Sequence, residues 1–375
     1  MKVQFIDIIL FVLFFQILSL VPFLLFQKSK RSLPNKILAT FLLAKALCIT
    51  NFISGRLPDF FLAHFPHIFL FGSSFTILWG PALYFYTKSL TTKNFSFRKW
   101  DALHLLPFSI HFLYLTFNFH IYNADVKRQI ITSGSLLTKQ YYMIYIHYLH
   151  LSILIYTIAA LILVWHYRQE IKNSFSSVHK RNLSWLYFVL FGFIAKWILD
   201  VLLIMKWTYH IEIGFSPLLM SRIVLFLFIN IMIFKGLRQP SIFSGLEPEP
   251  IPMPRQSLSK ASVDTYLKRL TSYMEHQKPF LDPELTLIEL SDQVSIPPRS
   301  LSEVINLGLG QNFFDFVNSY RIKESKRLLT VPEHDKKTVL EILYEVGFNS
   351  KSSFNKAFKK YTGMTPSRFK QLQRA

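Results

Sequence analysis

The chain has 375 residues, more than one small domain needs and ample for a large core. It is 51% hydrophobic and 16% aromatic yet carries a formal charge of +20, which argues against a soluble enzyme and for membrane segments plus phosphate-bearing partners, lipid headgroups or nucleic acid. The single cysteine, Cys48, excludes an intramolecular disulfide and any CxxC zinc site.

Residues 1–237 are aromatic-rich and acid-poor, with Asp7, Asp59, Asp101, Asp125, Glu170, Asp200 and Glu212 as their only acids. A bilayer-crossing helix needs ~20 mostly apolar residues. Seven stretches qualify: about 5–26, 36–54, 66–87, 100–119, 141–166, 183–205 and 217–236. The first is long for a secretory signal, lacks a small-residue cleavage site and is followed by six more spans, so a retained helix is expected. Trp79, Tyr84, Tyr86, Trp100, Tyr141, Tyr142, Trp165, Tyr167, Trp185 and Trp207 lie mostly near span ends, where amphipathic rings favour the interface. Lys and Arg in the odd-numbered loops and after the last span number fourteen, against six on the other side. The basic side faces the cytoplasm, which puts the N-terminus outside and the C-terminal part inside.

Several charges sit well within spans, among them Lys45, Lys196, Asp200 and Arg222. Each costs ~2.5–3.5 kcal/mol at mid-bilayer, so they should face the bundle interior or snorkel. Lys196 and Asp200 are i, i+4 and can pair. Two readings stand side by side: a polar site for a signal ligand of unknown kind, or an internal ion pair that fixes packing. His147 with His150, and His64 with His67, have no carboxylate or cysteine at ligand spacing, so neither metal nor cofactor is expected. No HExxH, nucleophile elbow or other catalytic constellation is present, which argues against an enzyme.

Residues 238–256 are rich in proline with glycine and serine and read as an extended linker. From 257 the charge density is that of a soluble helical domain. An entry helix over 263–278 comes first, with Val263, Tyr266, Leu267, Leu270, Tyr273 and Met274 at helical spacing. A short helix follows, opened by Asp282-Pro283 and carrying Leu285, Leu287, Ile288, Leu290 and Val294. Ser295-Ile296-Pro297 makes the turn. The next helix, 299–307, turns Leu301, Val304 and Ile305 inward and Arg299, Ser302, Glu303 and Asn306 outward. This is a first helix-turn-helix, about 285–308. An amphipathic strut over 312–329 then carries Phe313, Phe316, Val317, Tyr320, Leu328 and Leu329.

The second helix-turn-helix covers about 338–362. Ile342, Val346 and Phe348 are apolar, and Gly347 stands where a tight interhelical turn needs positive φ. Asn349-Ser350 starts the next helix, whose Phe354, Ala357, Phe358 and Tyr361 form a buried stripe. The opposite face is basic, no acid occurs from Ser350 to the end, and Gly363 and Pro366 close the helix.

The run GFNSKSSFNKAFKKYTGMTPSRF and the strut GQNFFDFVNSYRIKESKRLL resemble the DNA-binding domain of the AraC type of transcription regulators, over about 285–369. Ser325 stands where that family commonly has alanine. Ser295 stands where its first turn usually has glycine, so this turn is expected to be built differently. The resemblance implies two recognition helices on a rigid strut, reaching two major-groove segments about 34 Å apart. Position by position it puts Lys351, Ser352 and Lys356 on bases in the second motif, and nominates Arg299, Ser302 and Glu303 in the first. Asn355, Lys359, Lys360 and Arg368 suit phosphates. The implied partners are double-stranded promoter DNA and RNA polymerase, in a bacterium.

The expected fold is therefore all-α: a seven-helix transmembrane bundle, then a cytoplasmic helical domain with two helix-turn-helix motifs. The expected function is a transcription regulator anchored in the bacterial inner membrane, sensing a signal through its spans. The alternative is a membrane receptor or transporter whose basic domain binds a protein or anionic lipid. A linker this long decouples the halves, which favours homodimerisation or release over rigid coupling.

Overall fold

The computed structural model describes residues 5–26, 32–92, 94–133, 139–177, 184–238, 259–331 and 337–373, and the chain falls into two compact units. The expected linker lies outside the described residues, apart from its first residue. So do Lys2, Lys28, Lys30, Arg31, Lys93, Lys180 and Arg181 of the charge count.

The first unit comprises Met1–Val164 and Ser184–Glu247. Its helices are α1 (Phe5–Phe26), α2 (Ser32–Arg56), α3 (Pro58–His64), α4 (Trp79–Thr91), α5 (Leu106–Leu115), α6 (Ala124–Ser133), most of α7 (Lys139–Ser174), α8 (Ser184–Thr208) and α9 (Pro217–Arg238). Five helical stretches among the described residues are long and apolar enough to cross a membrane: Phe5–Phe26, Leu33–Arg56, Lys99–His120, Met143–Ser174 and Leu186–Thr208. Pro217–Ile231 is a shorter apolar helix.

The unit's surface is apolar where a water-soluble fold would be polar. On α7, Ile144, Leu151, Ile155, Ile158 and Ile162 lie at helical spacing and are all exposed. Each forgoes ~1.5–3 kcal/mol of burial in water and none of it in hydrocarbon. Inside, α1 packs on α2 and α9, and Asp7 on α1 is paired with Arg56 at the end of α2, 2.9 Å away.

The expected third span, 66–87, is not one helix. Pro66 opens a short 3-10 turn, Leu70 takes φ 61°, and Gly72 lies so close to α2 that a Cβ would be 1.8 Å from the Leu47 carbonyl oxygen. The helical stretch starts at Ser74 as a 3-10 turn and continues through α4 to Thr91. Hydropathy averages over such a break, since its residues are apolar on both sides. Ser74–Leu78 and α4 together still rise about 30 Å.

The second unit comprises Trp165–Leu183 and Pro248–Ala375. The last turns of α7 thus group with the C-terminal helices α10 (Lys260–Gln277), α11 (Leu287–Val294), α12 (Pro298–Glu303), α13 (Phe313–Thr330), α14 (Val339–Glu345), α15 (Lys351–Thr362) and α16 (Pro366–Leu372). The strut, α13, divides two cores. Phe313, Phe316 and Val317 pack with α10, α11 and α12, whereas Ile322, Leu328 and Leu329 pack with α14 and α15.

The first short helix pair starts later than expected. Thr286, not Asp282-Pro283, caps α11, in a reciprocal box with Glu289: the Glu289 N–H donates to Thr286 Oγ1 at 3.2 Å, and the Thr286 N–H donates to the Glu289 carboxylate at 2.8 Å. Thr338 and Glu341 build the same box at α14. The T-x-x-E spacing in the sequence is the signal for both.

Ser295 adopts the conformation a glycine would, φ 50° and ψ 47°, and the Ser291 hydroxyl braces the turn by donating to the Ile296 carbonyl at 2.7 Å. The turn is therefore left-handed despite its serine. A left-handed residue with a Cβ costs roughly 1–2 kcal/mol, and glycine gives back about 0.5–1 kcal/mol in unfolded-state entropy. Ser295→Gly should accordingly stabilise the unit by up to about 1 kcal/mol. Thermal unfolding of the purified protein checks this: a lowered midpoint would mean the serine side chain itself holds the turn.

Candidate nucleic-acid interface

The second helix pair delivers what its sequence promises. Gly347 has φ 87°, and its turn is closed by the Phe348 N–H donating to the Leu343 carbonyl at 2.9 Å. Ser350 caps α15 by accepting from the Ser353 N–H. Phe354, Ala357 and Phe358 are buried, and Gly363 ends the helix at φ 76°. Tyr361 departs from the expected stripe: it is 36% exposed and donates its hydroxyl to the Asp315 carbonyl at 2.9 Å. Burial first, then the Asp315 charge, pushes its phenol up to about 12.

Lys351, Ser352, Lys356 and Lys359 are exposed on the other face of α15, with Asn355 half-buried between them. The capping serine engages Ser352, the two hydroxyls lying 3.0 Å apart. Lys360 is exposed but ion-paired with Asp315 at 2.8 Å, so a phosphate there would compete with a carboxylate already in place. Arg368 is exposed on α16.

The first pair is less open. Arg299 and Glu303 on α12 are half-buried. Ser302, expected to face outward, is 2% exposed and its hydroxyl accepts from the Asn306 side chain at 3.2 Å. The reason is the width of the buried face: Leu301, Val304 and Ile305 are all buried, and Ser302 falls on the same side of a six-residue helix. Beyond Glu303 the helix widens into a π turn over Val304–Gly308, leaving Asn306 exposed.

One residue at the centre of this unit was not nominated by motif. Arg321 on α13 is 1% exposed, and its guanidinium gathers several chain segments. Nε donates to the Phe280 carbonyl at 2.7 Å, Nη2 to the Asp282 carbonyl at 2.6 Å and to Ser176 Oγ at 3.2 Å, and Nη1 to the Ser176 carbonyl at 3.3 Å. Ser176 in turn donates its N–H to the Leu285 carbonyl at 3.1 Å, while Ser177 and Asn349 bond through their side chains at 3.0 Å. Burial pulls the guanidinium down to about 10, against Asp282 and Glu284, so it stays charged near neutrality. The sequence signal is a charge at i+4 from buried Val317, on the stripe that Ser325 and Leu328 continue.

The in-span polar residues also come together, within the first unit. Lys45, Lys196 and Arg222 are all buried, and Lys196 pairs with Asp200, to which the Ser221 hydroxyl donates at 2.7 Å. Among the described residues no three His, Cys, Asp or Glu side chains converge as a metal site.

Residues 290–372 match the family model described as a helix-turn-helix domain. An uncharacterized HTH-type transcriptional regulator of Staphylococcus aureus (strain COL) is 31% identical over 120 residues, 32% of this chain and 15% of that protein. The Msm operon regulatory protein of Streptococcus mutans is 24% identical over 123 residues, 33% of this chain and 42% of the other. Among solved structures, the C-terminal domain of AraT, a response regulator from Geobacillus stearothermophilus, is 26% identical with a TM-score of 0.25, covering 31% of this chain and 88% of that one. The chain thus spans 15% to 42% of the length of these two curated relatives. Residues 290–372 are a helix-turn-helix domain of AraC type.

Proposed function

We propose that this chain is a membrane-anchored, sequence-specific DNA-binding transcription regulator. The observation that carries the reading is α15: its apolar face is buried in the core, and Lys351, Ser352, Lys356 and Lys359 stand exposed together on the other. Lys351 and Lys356 suit guanine O6 and N7, and Ser352 is tolerant of either base edge. Lys359, Lys360, Asn355 and Arg368 serve phosphates, and Arg299 and Glu303 are the readers from α12. HTH-type regulators among the relatives support DNA as the partner class, and the regulator reading adds RNA polymerase at the promoter. The five long apolar stretches, α9 and the 3-10-extended α4 support a multi-pass anchor, with the N-terminus outside and the helix-turn-helix domain in the bacterial cytoplasm.

The test uses the full chain in lipid nanodiscs, because Arg321 donates hydrogen bonds to Ser176, outside any C-terminal fragment. Selection from a genomic DNA pool should enrich a discrete sequence. Lys351→Ala with Lys356→Ala should then weaken it at least tenfold, at about 1–3 kcal/mol per base contact. Lys359→Ala should weaken all sequences alike and lower the salt slope by about 0.9. Undiminished binding by the Lys351, Lys356 double variant would refute the assignment, and loss of vesicle binding instead would favour an anionic lipid partner.

A further inference from the structure

The buried polar cluster of the first unit holds three cations, Lys45, Lys196 and Arg222, against one carboxylate, Asp200, a net of two positive charges. Lys196 and Asp200 satisfy each other. Lys45 and Arg222 make no hydrogen bond or close ion pair among the described residues; they share Asp200 only at longer range and lie against rings, Lys45 Nζ 3.2 Å from the Trp79 ring centroid and Arg222 Cζ 4.0 Å from that of Phe52. Lys196 Nζ is over the same indole at 5.2 Å, so two ammonium groups lie against one ring. A ring face offsets only part of what removing an ammonium from water costs. The indole Nε1 of Trp79 is also buried without an oxygen or nitrogen acceptor. The cluster is rich in donors and poor in acceptors.

An apolar cavity adjoins it. Among the described residues, Lys45 and Lys196 are its only charged lining groups, set among Leu38, Leu42, Leu83 and Phe228, and its free volume is about 50 Å³. That is room for a small head group, in a site that needs an anion. We propose that this cavity binds the head group of an organic acid amphiphile, with its carboxylate between the Lys45 and Lys196 ammonium groups and its hydrocarbon leaving past the leucine and phenylalanine residues through the open side. An internal ion pair alone explains Lys196 and Asp200 but leaves Lys45 unaccounted for. The ligand's role as a signal rests on the regulator reading above; its binding does not.

The experiment is thermal unfolding of the full chain in phosphatidylcholine nanodiscs, titrated with decanoate and, in parallel, with decan-1-ol, decylammonium and inorganic phosphate. Decanoate should raise the midpoint saturably, and the other three should not. Lys45→Met should weaken decanoate at least tenfold, and Lys45→Arg, which keeps the charge, should restore it to within a few-fold. No decanoate shift, or one retained in Lys45→Met, overturns the site. An equal shift from decan-1-ol or phosphate overturns the amphiphilic acid as its ligand. Should Lys45→Met fail to fold, decanoate against decan-1-ol on the unmodified protein still decides. No DNA enters the assay, so its outcome is separable from that of the regulator reading.

Discussion

Gly347→Ala should abolish stable folding of the second helix pair and, with it, DNA binding. Two separate costs fall on this position. The backbone is held at φ 87°, where a Cβ costs roughly 1–2 kcal/mol. That Cβ would also sit 2.6 Å from the Phe280 carbonyl oxygen and 2.7 Å from that of Leu281. Both neighbours are backbone, pinned by the 3-10 turn Pro279–Leu281 and, at Phe280, by Arg321. They have no rotamer to change, so overpacking adds ~1–3 kcal/mol. The total, roughly 2–5 kcal/mol, is a large part of what holds a domain together. Gly363→Ala is the matched control: its φ is 76°, but nothing lies within 4 Å of the added atom. It should cost the strain alone, about 1–2 kcal/mol. Hydrogen exchange across α14 and α15 in the full-length protein measures both. Equal losses at the two glycines would show that close approach to Phe280 and Leu281 carries no weight.

Gly347 is also where sequence reading does best, because a turn's requirement is local. A left-handed φ, an Asn-Ser start and a Phe354, Ala357, Phe358 stripe are all set within one or two helical turns, and all three are present in the structure. The strut, α13, was legible for the same reason, from its helical spacing of apolar residues. What escaped depends on distance along the chain or on the exact face of a short helix. Ser302 lies one position from the expected outward face, and a six-residue helix averages out no such error. The break before Ser74 is set by the approach of Gly72 to Leu47, which no hydropathy window registers. No sequence signal marked the pairing of Phe175–Ser177 with Thr286, Leu285 and Asn349, more than a hundred residues later within the second unit. Three polar and aromatic residues after an apolar helix carry no motif. Their partners become visible only once Arg321 is seen to be buried.

Arg321→Met should loosen both helix pairs at once. Methionine fills most of the volume but leaves the Phe280, Asp282 and Ser176 carbonyls without their donor. Leaving buried acceptors unsatisfied costs ~1–3 kcal/mol each, and losing one side of a buried charged network typically costs about 3–5 kcal/mol in all. Lysine cannot substitute, since one ammonium lacks the fork that reaches carbonyls on separate segments. Ser176→Ala, by contrast, removes the hydroxyl and keeps the backbone carbonyl that Arg321 also holds, so it should cost only about 1 kcal/mol. Position on the strut makes the effect two-sided. Val317, four residues before Arg321, belongs to the core with α11 and α12, and Ile322, one residue after it, belongs to the core with α14 and α15. The guanidinium is therefore the joint at which the end of α7, the 279–285 loop and the strut meet. Hydrogen exchange in Arg321→Met should rise around residues 175–177, in 280–286 and in α14 together. Were it to rise in only one of these segments, Arg321 would be a local prop, and the end of α7 would have no mechanical hold on the orientation of α12 and α15.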